Sequence, residues 1–177
     1  MEEYFQHLAF QSVIKVSENI FMRGVEFKYG GFERFSDFSK CSYDSEADFQ
    51  HTKFIEDTDF SNSIFKSEAD FQHTKFAGSV SFSETKFVRE TDFQHTDFNT
   101  PVSFKSCVFE RETDFQHTSF PMGVNFSYCK FNAETDMEHT RFSEPVNFKG
   151  TEFNGELDAE HAKVNGKSFL NYVLNKN

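Results

Sequence analysis

Cysteine, basic charge and long apolar runs are all in short supply in this chain of 177 residues, and each shortage removes a class of protein. Only Cys41, Cys107 and Cys129 occur, with no CxxC spacing, which gives no ground for redox or zinc chemistry. No segment approaches the roughly 18 consecutive apolar residues of a membrane span. The opening MEEYFQHLAF is acidic, so no signal peptide is expected and the chain reads as a cytoplasmic protein. Lys and Arg number 18 against 29 Asp and Glu, a formal net charge of −11 that repels phosphate and argues against direct nucleic-acid binding. A Gly-rich phosphate loop and a nucleophile elbow are missing, and no cofactor is expected. The chain is nevertheless expected to fold. Leu, Ile, Val and Phe make up about 26% of it, above the roughly 20% below which disorder sets in.

What is there is repetition. The seven histidines, His7, His51, His73, His95, His117, His139 and His161, are separated by 22 residues or by twice 22. A fixed period of roughly 20 to 50 residues marks a solenoid, propeller or array and overrides local secondary-structure signals. The 27 phenylalanines beat faster. Stepping alternately by 5 and 6 from Phe5 to position 170 meets 31 positions, all apolar or aromatic, and takes in 25 of the 27 Phe. The other register positions hold Val16, Tyr43, Met137, Ala159, Val164 and Leu170, and only Phe35 and Phe169 lie off it. The unbroken stretch is the expected core ladder: Phe49, Phe54, Phe60, Phe65, Phe71, Phe76, Phe82, Phe87, Phe93, Phe98, Phe104, Phe109, Phe115, Phe120, Phe126 and Phe131.

Neither a long helix nor a long strand explains such a beat. Steps of 5 and 6 would scatter the anchors around a helix, whose apolar stripe recurs at 3 and 4, and a strand needs period 2. Short strands joined by corners fit, with one inward anchor per side. A small or β-branched residue stands two before most anchors, as Ala47, Thr52, Thr58, Ser63, Ala69, Thr74, Val80 and Thr85 do, and so shares the inward face. Segments such as ADFQH at Ala47 and Ala69, and TDFQH at Thr91 and Thr113, resemble the pentapeptide-repeat family, whose units read Ala, Asp or Asn, Leu or Phe, then two variable residues. The resemblance implies an all-β fold, a right-handed, four-sided parallel β-helix with one unit per side. The chain departs from the family by one extra residue in every second unit, which predicts two opposite widened corners and 22 residues per coil. One solenoid domain over 1–177 is expected, its register running from 5 to 170 through about 7.5 coils and residues 165–177 forming a C-terminal cap.

Stacking turns each repeated residue into a row at about 4.8 Å spacing. Three rows could carry chemistry. The histidine row runs along one edge, with Tyr29 at its missing rung. Its rings project in parallel and do not converge, which disfavours a metal site. Close imidazoliums repel, so a pH-sensing row predicts stability that falls as pH drops through about 6. The other two rows are acidic: Asp48, Asp70, Asp92, Asp114, Asp136 and Asp158, and Glu46, Glu68, Glu90, Glu112, Glu134 and Glu156. Together they would place about one negative charge per 2.4 Å, against about one per 1.7 Å of duplex DNA. That edge, with Asp70, Asp92, Asp114, Glu90 and Glu112 as its candidate partner-binding residues, resembles the family's gyrase-interacting DNA mimics. The bland alternative is a solvated acidic surface that Lys53, Lys75, Arg89 and Arg111 partly neutralise.

The ends are the remaining candidates, because a β-helix must cap or pair its open strand edges. Phe169, Leu170, Val173 and Leu174 fall at helical spacing behind Ser168, a possible N-cap, which predicts a short cap helix. Dimerisation through that cap resembles what some family members do, so monomer and end-to-end homodimer both stay open. Toward the other end Val13, Ile20, Met22, Tyr29 and Phe35 fall on outward positions, either as local packing or as a partner-binding patch. The candidate apolar interface is therefore Ile20, Met22, Phe35, Phe169 and Val173. Cys107 and Cys129 sit one coil apart, with parallel side chains whose β-carbons are slightly too far apart for a bridge, and are expected as buried thiols. A filled rod offers convex sides and no convergent pocket, so no enzyme is expected. Two readings stand: a binding or structural scaffold for an unidentified protein partner, and an acidic mimic that engages DNA gyrase or another type II topoisomerase.

Overall fold

A computed structural model describes residues 3–174, apart from the side chains of Glu3, Tyr4, Val173 and Leu174. Among these residues the chain forms two-residue strands from β1 (Glu3–Tyr4) to β31 (Lys167–Ser168), followed by one short helix, α1 (Phe169–Leu174). From β1 to β30 each strand pairs in parallel with the strand four places away, giving four sheets that are the four sides of a β-solenoid. The ladder register is 22 residues throughout, as in Thr91↔Thr113 and Phe54↔Phe76.

The anchors make the core. All sixteen Phe of the unbroken ladder are buried, none more than 1% exposed. Phe93 lies flat between Phe71 and Phe115, with ring centroids 5.0 and 5.1 Å away, and meets Phe82 and Phe104 edge-on at 5.5 and 5.4 Å. Parallel stacking along the axis and T-shaped contacts across it are both geometries that aromatic quadrupoles favour. The coil spacing of a β-ladder and the stacking distance of two rings coincide, so one period satisfies backbone and side chains together.

The small inward positions divide into two classes. From Cys41 to Thr151 every eleventh residue is Ser, Thr or Cys, and its hydroxyl or thiol donates to an anchor carbonyl 25 residues earlier. Thr74 Oγ1 donates to the Phe49 carbonyl at 2.7 Å, and that carbonyl also accepts the Thr52 N–H at 3.0 Å. The intervening small positions, such as Ala69, Val80 and Thr91, are buried without that bond. Cys107 and Cys129 belong to the bonded class, donating to the Phe82 and Phe104 carbonyls at 2.8 and 2.7 Å, and both are free thiols as expected.

Corners alternate between two forms. In the five-residue steps a turn closes with an N–H to carbonyl bond three residues back, as from Thr96 to Phe93 at 3.0 Å, and its third residue has positive φ. That conformation recurs every eleven residues, from His7 through Glu18, Tyr29 and Lys40 to His161. The six-residue steps mostly bend without such a bond, so the extra residue lies in the plainer corners.

The register's last position is corrected by the structure. Leu170 was expected inward, yet it is 49% exposed, while the off-register Phe169 is 1% exposed. Asn165 and Gly166, both at positive φ, reverse the chain in a tight hairpin. β31 then pairs antiparallel with Lys163–Val164, and Phe169 folds back to stack on Phe142 at 5.3 Å. The ring that closes the core is therefore delivered by a hairpin and not by another coil.

Two substitutions test this core. Phe93→Ala removes a ring with aromatic neighbours on every side and is expected to cost about 3–5 kcal/mol in chemical denaturation. Tyr43 occupies an anchor position, 0% exposed between Phe21 and Phe65, and its hydroxyl has no hydrogen-bond partner among the described residues. Tyr43→Phe is expected to raise stability by about 1 kcal/mol, by removing a buried polar atom that nothing satisfies.

Candidate functional site

Three adjacent rows meet along one corner, in the order Asp, Gln or Glu, His, just before and just after an anchor Phe. Each Asp is first a turn residue. Asp70 Oδ1 accepts the Gln72 N–H at 2.8 Å, and the bond recurs from Gln94 to Asp92 at 2.7 Å and from Gln116 to Asp114 at 2.6 Å. Short polar side chains form this local turn readily. At the opposite corner Asn125 and Asn147 do the same for Ser127 and Lys149 at 3.0 Å. The second Asp oxygen joins the coils, since Gln50 donates to Asp70 and Gln72 to Asp92. Further along, the amide row bonds to itself, from Gln94 to Gln116 at 2.9 Å and from Gln116 to Glu138 at 2.8 Å.

This environment changes the charge of the row. Burial pushes the Asp70 and Asp114 carboxyls up to about 6, more strongly than their turn hydrogen bonds pull them down, and neighbouring carboxylates raise them further. Asp136 is raised by the same cause. Asp70, Asp92 and Asp114 are half-buried, whereas Glu46, Glu68, Glu90, Glu112, Glu134 and Glu156 are exposed. The two acidic rows are thus unequal, and only the Glu row is a fully solvated line of charge. Glu68, Asp70, Glu90, Asp92, Glu112 and Asp114 share a shallow open groove of about 250 Å³.

The histidines occupy the positive-φ position of their turn, with φ between 54° and 58°. His is among the residues enriched in this conformation. The opposite corner uses Glu18, Lys40, Asn62, Glu84, Ser106, Tyr128 and Gly150 at equivalent positions, so the backbone alone does not demand His. The rings add a second term. They form one continuous column from His7 through Tyr29 to His161, with centroids 4.7 to 5.0 Å apart. His139 and His161 lie 3.3 Å from Glu138 and Glu160. Among the described residues no three His, Cys, Asp or Glu side chains are grouped to hold a metal ion.

The expected apolar interface is divided by the structure. Ile20 and Met22 are 64% and 77% exposed on the first coil, and Phe35 is half-buried one coil later, on the side of Ile14, whose N–H it accepts. Phe169 is not an interface residue, because the hairpin turns it into the core. The Val173 side chain lies outside the described residues. Sequence reading missed the hydroxyl ladder, although the absence of Ala and Val from every eleventh position between Cys41 and Thr151 was a legible signal.

Four parallel sheets built from two-residue strands define a β-solenoid, and its side-chain register is that of pentapeptide repeats. The family profile "Pentapeptide repeats (9 copies)" matches residues 32–75, 71–119 and 93–141, more than half the chain, and the chain belongs to this family. No curated protein matches it in sequence. Among solved structures, full-length QnrB1, a plasmid-mediated fluoroquinolone resistance protein, is similar at a TM-score of 0.38 and 15% identity, covering 98% of each chain. Its trypsin-treated form gives 0.37 and 13%, covering 93% of this chain and 92% of that one. HetL, a pentapeptide repeat protein involved in heterocyst differentiation regulation from the cyanobacterium Nostoc sp., gives 0.22 and 10%, covering 89% and 90%.

The raised Asp row has a pH signature. A carboxyl whose folded value of about 6 exceeds its unfolded value of 3.8 favours the fold fully below 3.8, and that contribution is lost as pH rises through 6. Asp70→Asn keeps the turn acceptor, as Asn125 and Asn147 show, and removes the buried charge. The variant is expected to be about 1 kcal/mol more stable than the parent at pH 7.5, a figure discounted for partial solvent access, and to lose that advantage by pH 4. Melting curves of both proteins across this range check it. An equal offset at all pH values would mean that the carboxyl titrates normally.

Proposed function

We propose that this rod is a non-catalytic scaffold of the cytoplasm whose regular flanks are read by a protein partner. One observation carries the reading: the outward chemistry is arranged in rows, and the same residue type recurs coil after coil at about 4.8 Å. A reaction centre needs unlike groups converging on one point. Rows offer the reverse, many equivalent contacts along a line, which suits avid and register-tolerant binding of an extended surface. The family's repeats and the absence, among the described residues, of any helix long and apolar enough to cross a membrane agree with this reading.

The acidic edge supports a second reading, a mimic of duplex DNA that binds a type II topoisomerase. Its charge density decides against giving it first place. The Glu row supplies about one charge per 4.8 Å, and the Asp row, half-buried and still about nine-tenths ionised at pH 7 where Asp70 and Asp114 are raised to about 6, brings the edge to at most about one per 2.4 Å. Duplex DNA carries about one per 1.7 Å. Exposed Arg89 and Arg111 stand beside Glu90 and Glu112 and lower the line charge further.

A DNA gyrase supercoiling assay separates the two readings. The scaffold reading expects no inhibition at large molar excess of the rod, and no protection from a quinolone. Inhibition that competing DNA relieves, and that Glu90→Gln with Glu112→Gln abolishes, would replace it with the mimic.

A further inference from the structure

The two ends of the rod are built differently. At the C-terminal end the last anchors are Phe148 and Phe153, partly buried, and Ala159 and Val164, 7% and 1% exposed; the β31 hairpin covers one sheet edge of the four, and Phe169 packs on Phe142 and Phe148. At the other end no such device exists among the described residues. Strands β1, β2 (Ala9–Phe10), β3 (Ile14–Lys15) and β4 (Ile20–Phe21) each stand at the edge of their sheet. Their anchors Phe5, Phe10, Val16 and Phe21 are only partly buried, whereas the anchors one coil later, Phe27, Phe32, Phe38 and Tyr43, are 6%, 1%, 0% and 0% exposed. The backbone is open as well. Gly31, Glu33, Ser42 and Asp44 donate their N–H groups to the preceding coil, and the equivalent groups of Ala9, Gln11, Ile20 and Met22 face outward along the axis. Around this face stand Leu8, Val13, Ile20 and Met22, 47% to 77% exposed.

We propose that the first coil is a self-association surface through which two copies of the chain join head to head, about a two-fold axis perpendicular to the rod. The occupant follows from three arguments. First, the joint would continue an interface the chain already makes between every pair of coils, a backbone ladder around a stack of rings. Turning one rod over keeps its hand but reverses the direction in which its chain runs along the face, so facing strands run antiparallel, a pairing at least as stable as the parallel one. Second, the C-terminal end is obstructed on one of its four sides, by β31, while β27 (Val146–Asn147), β28 (Glu152–Phe153) and β29 (Leu157–Asp158) are open edges there. Head-to-tail stacking would have to displace β31 from the edge of its sheet, and an unclosed contact of that kind would grow into a filament. The isologous contact buries the exposed face on both copies and stops. Third, charge and size permit it. Residues 3–23 carry Glu3 and Glu18 against Lys15 and Arg23, a net charge of zero within a chain of −11, so like-charge repulsion does not oppose a joint at this end, as it does not at residues 156–177. One coil brings 22 residues to the face, within the roughly 20–30 residues a side of a standard interface.

The assembly is independent of what the flanks bind, and its test is a separate one. Sedimentation equilibrium and small-angle scattering on the purified chain are expected to show a dimer whose longest dimension is about twice the monomer's. Ile20→Glu with Met22→Glu changes two exposed side chains, so folding is preserved and can be checked by the melting curve. It is expected to weaken the dimer by more than roughly tenfold in Kd. Ile55→Glu, an exposed site away from the end, and Leu170→Glu, on the cap helix, are expected to leave it intact. A monomer at all concentrations would overturn the proposal, as would a side-by-side dimer of unchanged length. So would a dimer that Leu170→Glu dissolves and the Ile20 and Met22 pair does not.

Discussion

The coincidence of two lengths governs this molecule. Strands hydrogen-bond at about 4.8 Å, and the rings of Phe71, Phe93 and Phe115 stack at 5.0 and 5.1 Å. Because the spacings match, a Phe at every side can stack on the Phe of the next coil without bending the ladder, and the backbone bonds hold the rings in register. A smaller anchor would leave gaps on the axis, and a larger one would push the coils apart. The same match fixes the outward side chains, since residues 22 apart are forced into contact whether or not they attract. Every surface row, acidic, amide or imidazole, is a consequence of the core.

That dependence changes how the rows should be valued. The Asp row looks in the sequence like a line of charge, but its first task is to close a turn, and Asn125 and Asn147 perform it equally well without charge. Stacked in partial burial, Asp70, Asp114 and Asp136 hold their protons more tightly than free Asp. The chain therefore carries an electrostatic cost near neutral pH in return for a local hydrogen bond. The neighbouring His column is packing in the same sense: its rings stack about 4.8 Å apart because the ladder sets that spacing.

Much of this was legible in the residues. The alternating steps of 5 and 6 located the anchors of nearly the whole chain, the small partners two before them, and the parallel stacking of coils. What escaped notice had a local cause. Sequence periodicity assigned Leu170 to the core, whereas an Asn-Gly hairpin at Asn165 and Gly166 put Phe169 there. Turn chemistry of two residues overrode a register that had held through the coils before it. The 25-residue bond from Thr74 to the Phe49 carbonyl was hidden for a different reason: a small buried residue reads the same with or without a hydroxyl until its acceptor is known. Half-burial of the Asp row was also invisible, because alternation assigns a residue inward or outward and has no term for a carboxyl laid along a corner.

Repetition also decides where individuality can reside. Within the coils any substitution is surrounded by near-copies of the residue it replaces, so the flanks can recognise a line but can hardly single out one point on it. The ends escape this averaging. At one end the chain uses a hairpin, an off-register ring and a short helix, none of which belongs to the repeat. At the other it keeps the repeat and leaves half-buried anchors and unpaired strand edges, with Leu8, Val13, Ile20 and Met22 at its rim. Exposed strand edges are normally blunted because they invite pairing with any other edge. An edge that is left regular, flanked by apolar side chains and locally neutral in an acidic rod, has the features of one that is paired in use. A second copy is the one partner that brings the same ring spacing, strand spacing and balance of charge to meet it.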